Sequence, residues 1–138
     1  MLEFRPMTKR GRKYALQLAR DEINIVPRRL DEYRNCTIHH DGERIGFVSF
    51  GARADHTVYI YILAFEEHAQ GQGFAAQVLE RLMKYGQTRD GGFRGLSATI
   101  QKKNEPAIHA TKKHGFMETE ERKNHLDFLK PFPSMKEQ

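Results

Sequence analysis

Gln70-Gly71-Gln72-Gly73-Phe74-Ala75 is the segment of this sequence best suited to hold a charged ligand. Gly71 and Gly73 lack Cβ atoms, so a ligand can approach the main chain closely there and the backbone is free to take unusual φ values. Behind them Phe74, Val78 and Leu82 recur alongside Ala75, Leu79 and Met83. That spacing opens an amphipathic helix directly from the glycine turn, running on from Ala76 to Gln87. Successive backbone N–H groups at such a start form a concave anion site reinforced by the helix dipole. A phosphate or pyrophosphate suits it.

Two familiar phosphate motifs fit this turn poorly. A P-loop needs a longer glycine spacing that ends in Gly-Lys-Ser/Thr, and none follows here. A dinucleotide fingerprint is nominally met by Gly71-x-Gly73-x-x-Ala76, but the acid due about twenty residues later would be Asp90. Asp90 sits in a glycine loop instead of at a strand end, and the mid-chain position of the turn leaves too few residues for a full set of crossover units.

A third pattern covers far more of the chain. Gln70-x-x-Gly73-x-Ala75, placed after an apolar strand, resembles the acetyl-CoA pyrophosphate motif of the GNAT N-acetyltransferases. Asn104-Glu105-Pro106-Ala107-Ile108, followed by Lys113-His114-Gly115-Phe116, is similar to the same family's later Asn-x-x-Ala helix ending in Gly-Phe. The hairpin of Asp41-Gly42 and Ile45-Gly46-Phe47 is similar to its second and third strands. The resemblance extends from about Leu2 to about Phe132. It implies a mixed α+β fold: a GNAT-like central mixed sheet of six to seven strands flanked by about four helices.

The resemblance also implies roles. The backbone of Gln70, Gly71, Gln72, Gly73, Phe74 and Ala75 would hold the CoA pyrophosphate. The strand edge at Leu63, Ala64 and Phe65 would pair with the pantetheine arm, with one N–H polarising the thioester carbonyl. Asn104 would touch the pantetheine from the other side, and its position equally suits a helix N-cap. Lys102, Lys103, Lys112 and Lys113 would attract the nucleotide end or stand as solvated lysines. Many members carry a tyrosine near the end of the second motif that protonates the departing thiolate, and the matching position here is Thr111, a shorter and poorer acid. Three routes stay open: a water supplies the proton, the thiolate leaves unprotonated, or the protein binds acyl-CoA without efficient transfer. Thr111 also reads as helix-surface filler.

The implied function is transfer of an acetyl or short acyl group from CoA to a primary amine by direct attack, with acetyl-CoA as co-substrate. A noncatalytic acyl-CoA-binding module on the same fold is the alternative. A lysine-like amine must first lose its charge, which costs about 4.6 kcal/mol at pH 7, so a base or desolvating pocket has work to do. Tyr59 and Tyr61, acting through water, are the favoured candidates, with His56, Glu66 and Glu67 nearby in sequence. By alternation Tyr59, Tyr61, Leu63 and Phe65 share one strand face, so core packing is the competing role for the tyrosines.

The elements that must position these residues follow from pattern. Leu2–Met7 reads as a strand, Thr8 caps a helix towards Asp21 or Glu22, and the run from Pro27 to Tyr33 suggests a second, shorter helix. Asp41-Gly42 joins strands Cys36–His40 and Arg44–Phe50 as a hairpin. Val58–Phe65 is a nearly unbroken apolar and aromatic run, which suits a central, doubly covered strand. Asp90-Gly91-Gly92 breaks the chain before a strand at Leu96–Ile100. A helix at Asn104–Lys113 is stopped by Gly115, and strands Phe116–Glu120 and Leu126–Leu129 finish the fold.

Composition bounds the rest. The 138 residues fit a single domain over 1–132, with 133–138 a frayed tail. No stretch approaches the roughly 18 apolar residues of a membrane span, and a cytoplasmic location is the default expectation. A net charge of +5 favours anionic partners. The dense cluster Lys9, Arg10, Arg12 and Lys13 lies on an amphipathic helix, where a solvated face is favoured over a nucleic-acid patch. Acyl-CoA and an amine acceptor are the expected partners, and homodimerisation is compatible with the family. The lone Cys36 excludes an intramolecular disulfide and reads as strand filler, with a catalytic thiol as the minor reading. His39-His40 and the pair His109 and His114 have poor chelating geometry, so no metal site is expected.

Overall fold

The computed structural model describes residues 1–88 and 92–133. The expected break at Asp90-Gly91 and the tail from 134 onward lie outside the described residues. Among the described residues seven strands and three α-helices follow one another, and the strands form one mixed sheet in the order β1-β2-β3-β4-β5-β7-β6. The chain divides into two compact units. The first comprises Met1–Gly51 with Tyr61–Val78, and the second comprises Ala52–Ile60 with the chain from Leu79 onward.

In the first unit β1 (Leu2–Pro6) pairs antiparallel with β2 (Arg34–His40), and β2 pairs antiparallel with β3 (Glu43–Ala52). Asp41 and Gly42 between β2 and β3 both have positive φ, 50° and 87°, as a two-residue hairpin turn demands. Helix α1 (Lys9–Ile23) starts where the Thr8 hydroxyl accepts the Gly11 N–H at 3.1 Å. Its Ala15, Leu18 and Ala19 meet Leu30, Phe47, Ile62 and Ala64 in an apolar core. Two alanines at one helical spacing let the helix approach the sheet closely, and truncating the fully enclosed Leu30 to alanine would cost about 2–5 kcal/mol.

The run from Pro27 to Tyr33 departs from expectation. It makes a single 3-10 turn, Leu30–Glu32, and just before it the amides of Arg28 and Arg29 both donate to the Tyr61 hydroxyl at 3.3 Å. A seven-residue segment is too short to offset the cost of helix nucleation by itself.

Strand β4 (Thr57–Phe65) is the fourth of seven, and no residue in it is more than half exposed. Its last residues belong to the first unit, where Gly46 of β3 lies against them. A Cβ on Gly46 would come within 2.3 Å of the Ala64 carbonyl oxygen, so only glycine fits. Just past the strand, the Glu66 N–H donates to the Ile45 carbonyl at 2.8 Å.

In the second unit Thr57–Ile60 of β4 pairs in parallel with Gly95–Ala98 of β5 (Gly95–Gln101), and β5 pairs antiparallel with β7 (His125–Pro131). Strand β6 (Met117–Glu121) pairs with β7 and is exposed at every residue, as an outermost strand is. Parallel neighbours need a long crossover, and α2 (Phe74–Thr88) supplies it between β4 and β5. Helix α3 (Glu105–Lys113) ends before Gly115, which takes φ +91°. No helix among the described residues is long and apolar enough to cross a membrane.

Candidate functional site

The glycine turn lies wholly in the first unit. Gly71 and Gly73 take φ of 75° and 84°, and a Cβ built on either meets nothing within 4 Å, so the main chain faces open space. Among the described residues the amides of Gly71, Gln72, Gly73, Phe74 and Ala75 have no protein acceptor. Five unpaired donors at the start of a fifteen-residue helix are what an anionic group with several oxygens requires.

Neighbouring side chains hold the turn in shape. The Gln70 amide donates to the Phe65 carbonyl at 3.0 Å and to Glu22 at 2.9 Å, tying the turn to the end of β4 and to α1. The Gln72 amide donates back to the His68 carbonyl. Phe74 is buried, its ring 4.8 Å from that of His40 and 6.4 Å from that of Phe65, which anchors the start of α2. Leu63, Ala64 and Phe65 lead into this turn on β4. The ladder between β4 and β5 covers Thr57–Ile60, so among the described residues these three lie beyond it.

Beside the turn opens a cavity of about 570 Å³, lined by Leu18, Asp21, Glu22, Glu66, Glu67 and His68. Tyr14 donates to Glu66 at 2.8 Å, and the Arg44 guanidinium stacks 3.8 Å from the Tyr14 ring centre. Burial first, and then the Glu66 carboxylate, pushes the Tyr14 phenol well above its ordinary range, so it remains a donor at any physiological pH. Sequence reading passed over Tyr14 and the carboxylates at the end of α1. Tyr14 and Glu66 are 52 residues apart, and no local pattern joins them.

The remaining candidates are placed as follows. Tyr61 is half-buried, stacked on Tyr33 with ring centres 4.7 Å apart, and its hydroxyl receives the Arg28 and Arg29 amides. Tyr59, in the second unit, is 8% exposed with the Arg53 guanidinium 4.0 Å from its ring centre. Asn104 caps α3 by accepting the Ala107 N–H at 3.3 Å, which leaves its NH₂ group for another partner. The Thr111 hydroxyl donates to the Ala107 carbonyl one turn back, at 2.7 Å, so its proton is already engaged. Lys103, Lys112 and Lys113 are exposed, whereas Lys102 pairs with Glu121 at 2.7 Å. Of the basic cluster on α1, Arg12 pairs with Asp31 and the other three are exposed. Cys36 is half-buried, and burial raises its thiol pKa, away from nucleophilic use.

Comparison with known proteins joins these observations. The model of the Acetyltransferase (GNAT) family matches residues 4–116, the greater part of the chain. An acetyltransferase of Thermus thermophilus is similar in fold, with a TM-score of 0.76 at 18% identity, over 96% of this chain and 97% of that one. NAA60 of Arabidopsis thaliana, solved in complex with a bisubstrate analogue, gives 0.73 at 19% identity over 96% and 100%. A mutant of the SpeG spermidine N-acetyltransferase of Vibrio cholerae gives 0.74 at 16% identity over 94% and 93%. No curated protein matches the sequence significantly.

Proposed function

The chain belongs to the GNAT acetyltransferase family, and from that premise we propose that it moves an acetyl or short acyl group from CoA to a primary amine by direct attack. The observation that carries this reading is the glycine turn: five amides without protein acceptors, two positive-φ glycines and open space before them. The CoA thioester supplies an activated acyl group. The residues of this chain would hold and orient it. The amides of Gly71 to Ala75 take the pyrophosphate, with Gln70 and Gln72 bracing the turn. The stretch of Leu63, Ala64 and Phe65 beyond the β4–β5 ladder is the proposed partner of the pantetheine arm, and the NH₂ of Asn104, in the second unit, is proposed as a further donor to it. Positioning of this kind supplies much of the rate when the nucleophile is a neutral amine. Tyr59 and Tyr61 remain the proposed route for the amine's proton, through water. Thr111 is given no acid role, since its proton is held by Ala107.

That last point favours one alternative, a module on the same fold that binds acyl-CoA without turning it over. Calorimetric titration with acetyl-CoA on the native chain and on Gly73→Asp separates the cases, together with free-CoA release over a panel of amines. Gly73 takes φ +84°, where any side chain is strained, and an added carboxylate repels a pyrophosphate, so on both grounds the variant loses affinity by about tenfold or more. Tight binding with CoA release supports the enzyme, and tight binding without release supports the module. Equal affinity of both proteins would remove the glycine turn from the cofactor site.

A further inference from the structure

The second unit carries a cavity of about 490 Å³ that the cofactor reading leaves unused, large enough for a small molecule. It lies on the Tyr59 face of the sheet. Ser97 pairs with Tyr59 across the β4–β5 ladder and lines the cavity, and so do Arg53, Arg94 and Arg122. The polar groups of its floor are already satisfied. Asp55 accepts from the Thr57 hydroxyl at 2.6 Å, and Thr57 and Ser97 hydroxyls lie 2.7 Å apart. Asp127 accepts from the Thr99 hydroxyl and pairs with Arg122, both at 2.8 Å. Arg94 reaches the Asp55 carbonyl at 2.7 Å and its carboxylate at 3.5 Å.

Arg53 differs from the other two arginines. It is half-buried, its guanidinium rests on the Tyr59 ring, and among the described residues it has no carboxylate partner. A partly desolvated guanidinium without a counter-charge is costly, and a planar five-donor fork is matched best by a carboxylate or phosphate. The ring beneath it fixes the plane of the fork. On the exposed edge strand Glu120 lines the same cavity, which suits a ligand bearing an amine as well as an acid.

We propose that this cavity seats the oxyanion group, a carboxylate or a phosphate, of a small amine acceptor, with Arg53 as its principal partner. The amine half of this inference rests on the acyltransferase reading, whereas the oxyanion seat rests on the cavity alone. The test is a titration of the isotopically labelled native chain, followed by amide shifts, with L-aspartate, L-glutamate, inorganic phosphate and, as the cationic control, spermidine. The carboxylate and phosphate arms distinguish the two sources of oxyanion. Shifts grouped at Arg53, Ser97 and Arg122 with the acids, absent with spermidine, are expected. Arg53→Gln should weaken that binding about tenfold or more while leaving acetyl-CoA affinity unchanged, since hydrogen bonds to charged groups are strong. Acid binding that persists equally in Arg53→Gln, or no grouped shifts with any oxyanion at millimolar concentration, would overturn the proposal. Binding of acids together with no CoA release from acetyl-CoA over the whole panel of amines would leave the oxyanion seat standing and sink the acyltransferase reading instead.

Discussion

At the scale of single residues, the reach of sequence reading follows the distance over which a residue acts. Gly71 and Gly73 announce themselves because their function is in their own backbone. Tyr14 does not, because its partner Glu66 comes 52 positions later. The Tyr14–Glu66 bond is part-buried, and Tyr14→Phe should lower stability by about 1 kcal/mol, read as a shifted urea midpoint at unchanged slope. Acetyl-CoA affinity should be unaffected, since neither group belongs to the glycine turn. A loss of cofactor binding would show that Tyr14 shapes the turn through Glu66. Gly46 falls between the two cases. Its place in the hairpin was visible, but the reason for glycine, a carbonyl 2.3 Å from where a Cβ would sit, is a tertiary fact.

At the scale of elements, strands and helices with strong local punctuation were legible: the Asp41-Gly42 hairpin, the Thr8 cap, the apolar run of β4 and the glycine after α3. The segment from Pro27 to Tyr33 was not, since it is too short to hold a helix on its own propensities and its contacts run to Tyr61, far along the chain. Asn104 is the element-scale test of the proposed site, because a cap and a ligand contact make different demands. Asn104→Ser keeps the capping oxygen and so should keep stability, yet it removes the free NH₂ and should weaken acetyl-CoA binding. Asn104→Ala should lose the cap as well, about 1 kcal/mol. If Asn104→Ser binds acetyl-CoA like the native chain, Asn104 is a cap only.

For the molecule as a whole, pH acts through histidines that fold neutral. His39 is buried with Nε2 on the Thr37 hydroxyl at 2.9 Å and Nδ1 without a partner among the described residues. Burial, with Arg5 next in effect, holds its pKa below the ordinary value, and burial does the same for His114. The unfolded chain therefore binds protons first as pH falls. Stability is full above about pH 6.5 and declines below it, towards the depressed folded values. Thermal unfolding at pH 7.5 and pH 5.5 should show a lower midpoint in acid, and His39→Gln should narrow the difference. An unchanged gap in that variant would assign the acid sensitivity elsewhere.

The exposed outer strand β6 has its own consequence for how the protein behaves in a crowded solution. A margin of unpaired main-chain groups invites a second chain to add itself, and repeated addition leads to fibres. Glu118 and Glu120 place like charges along that margin, beside Glu121, which pairs with Lys102, so two copies meeting edge to edge would repel. Glu118 and Glu120 act as gatekeepers. Their worth would be measured in solubility and shelf life, in a protein whose overall charge has the opposite sign.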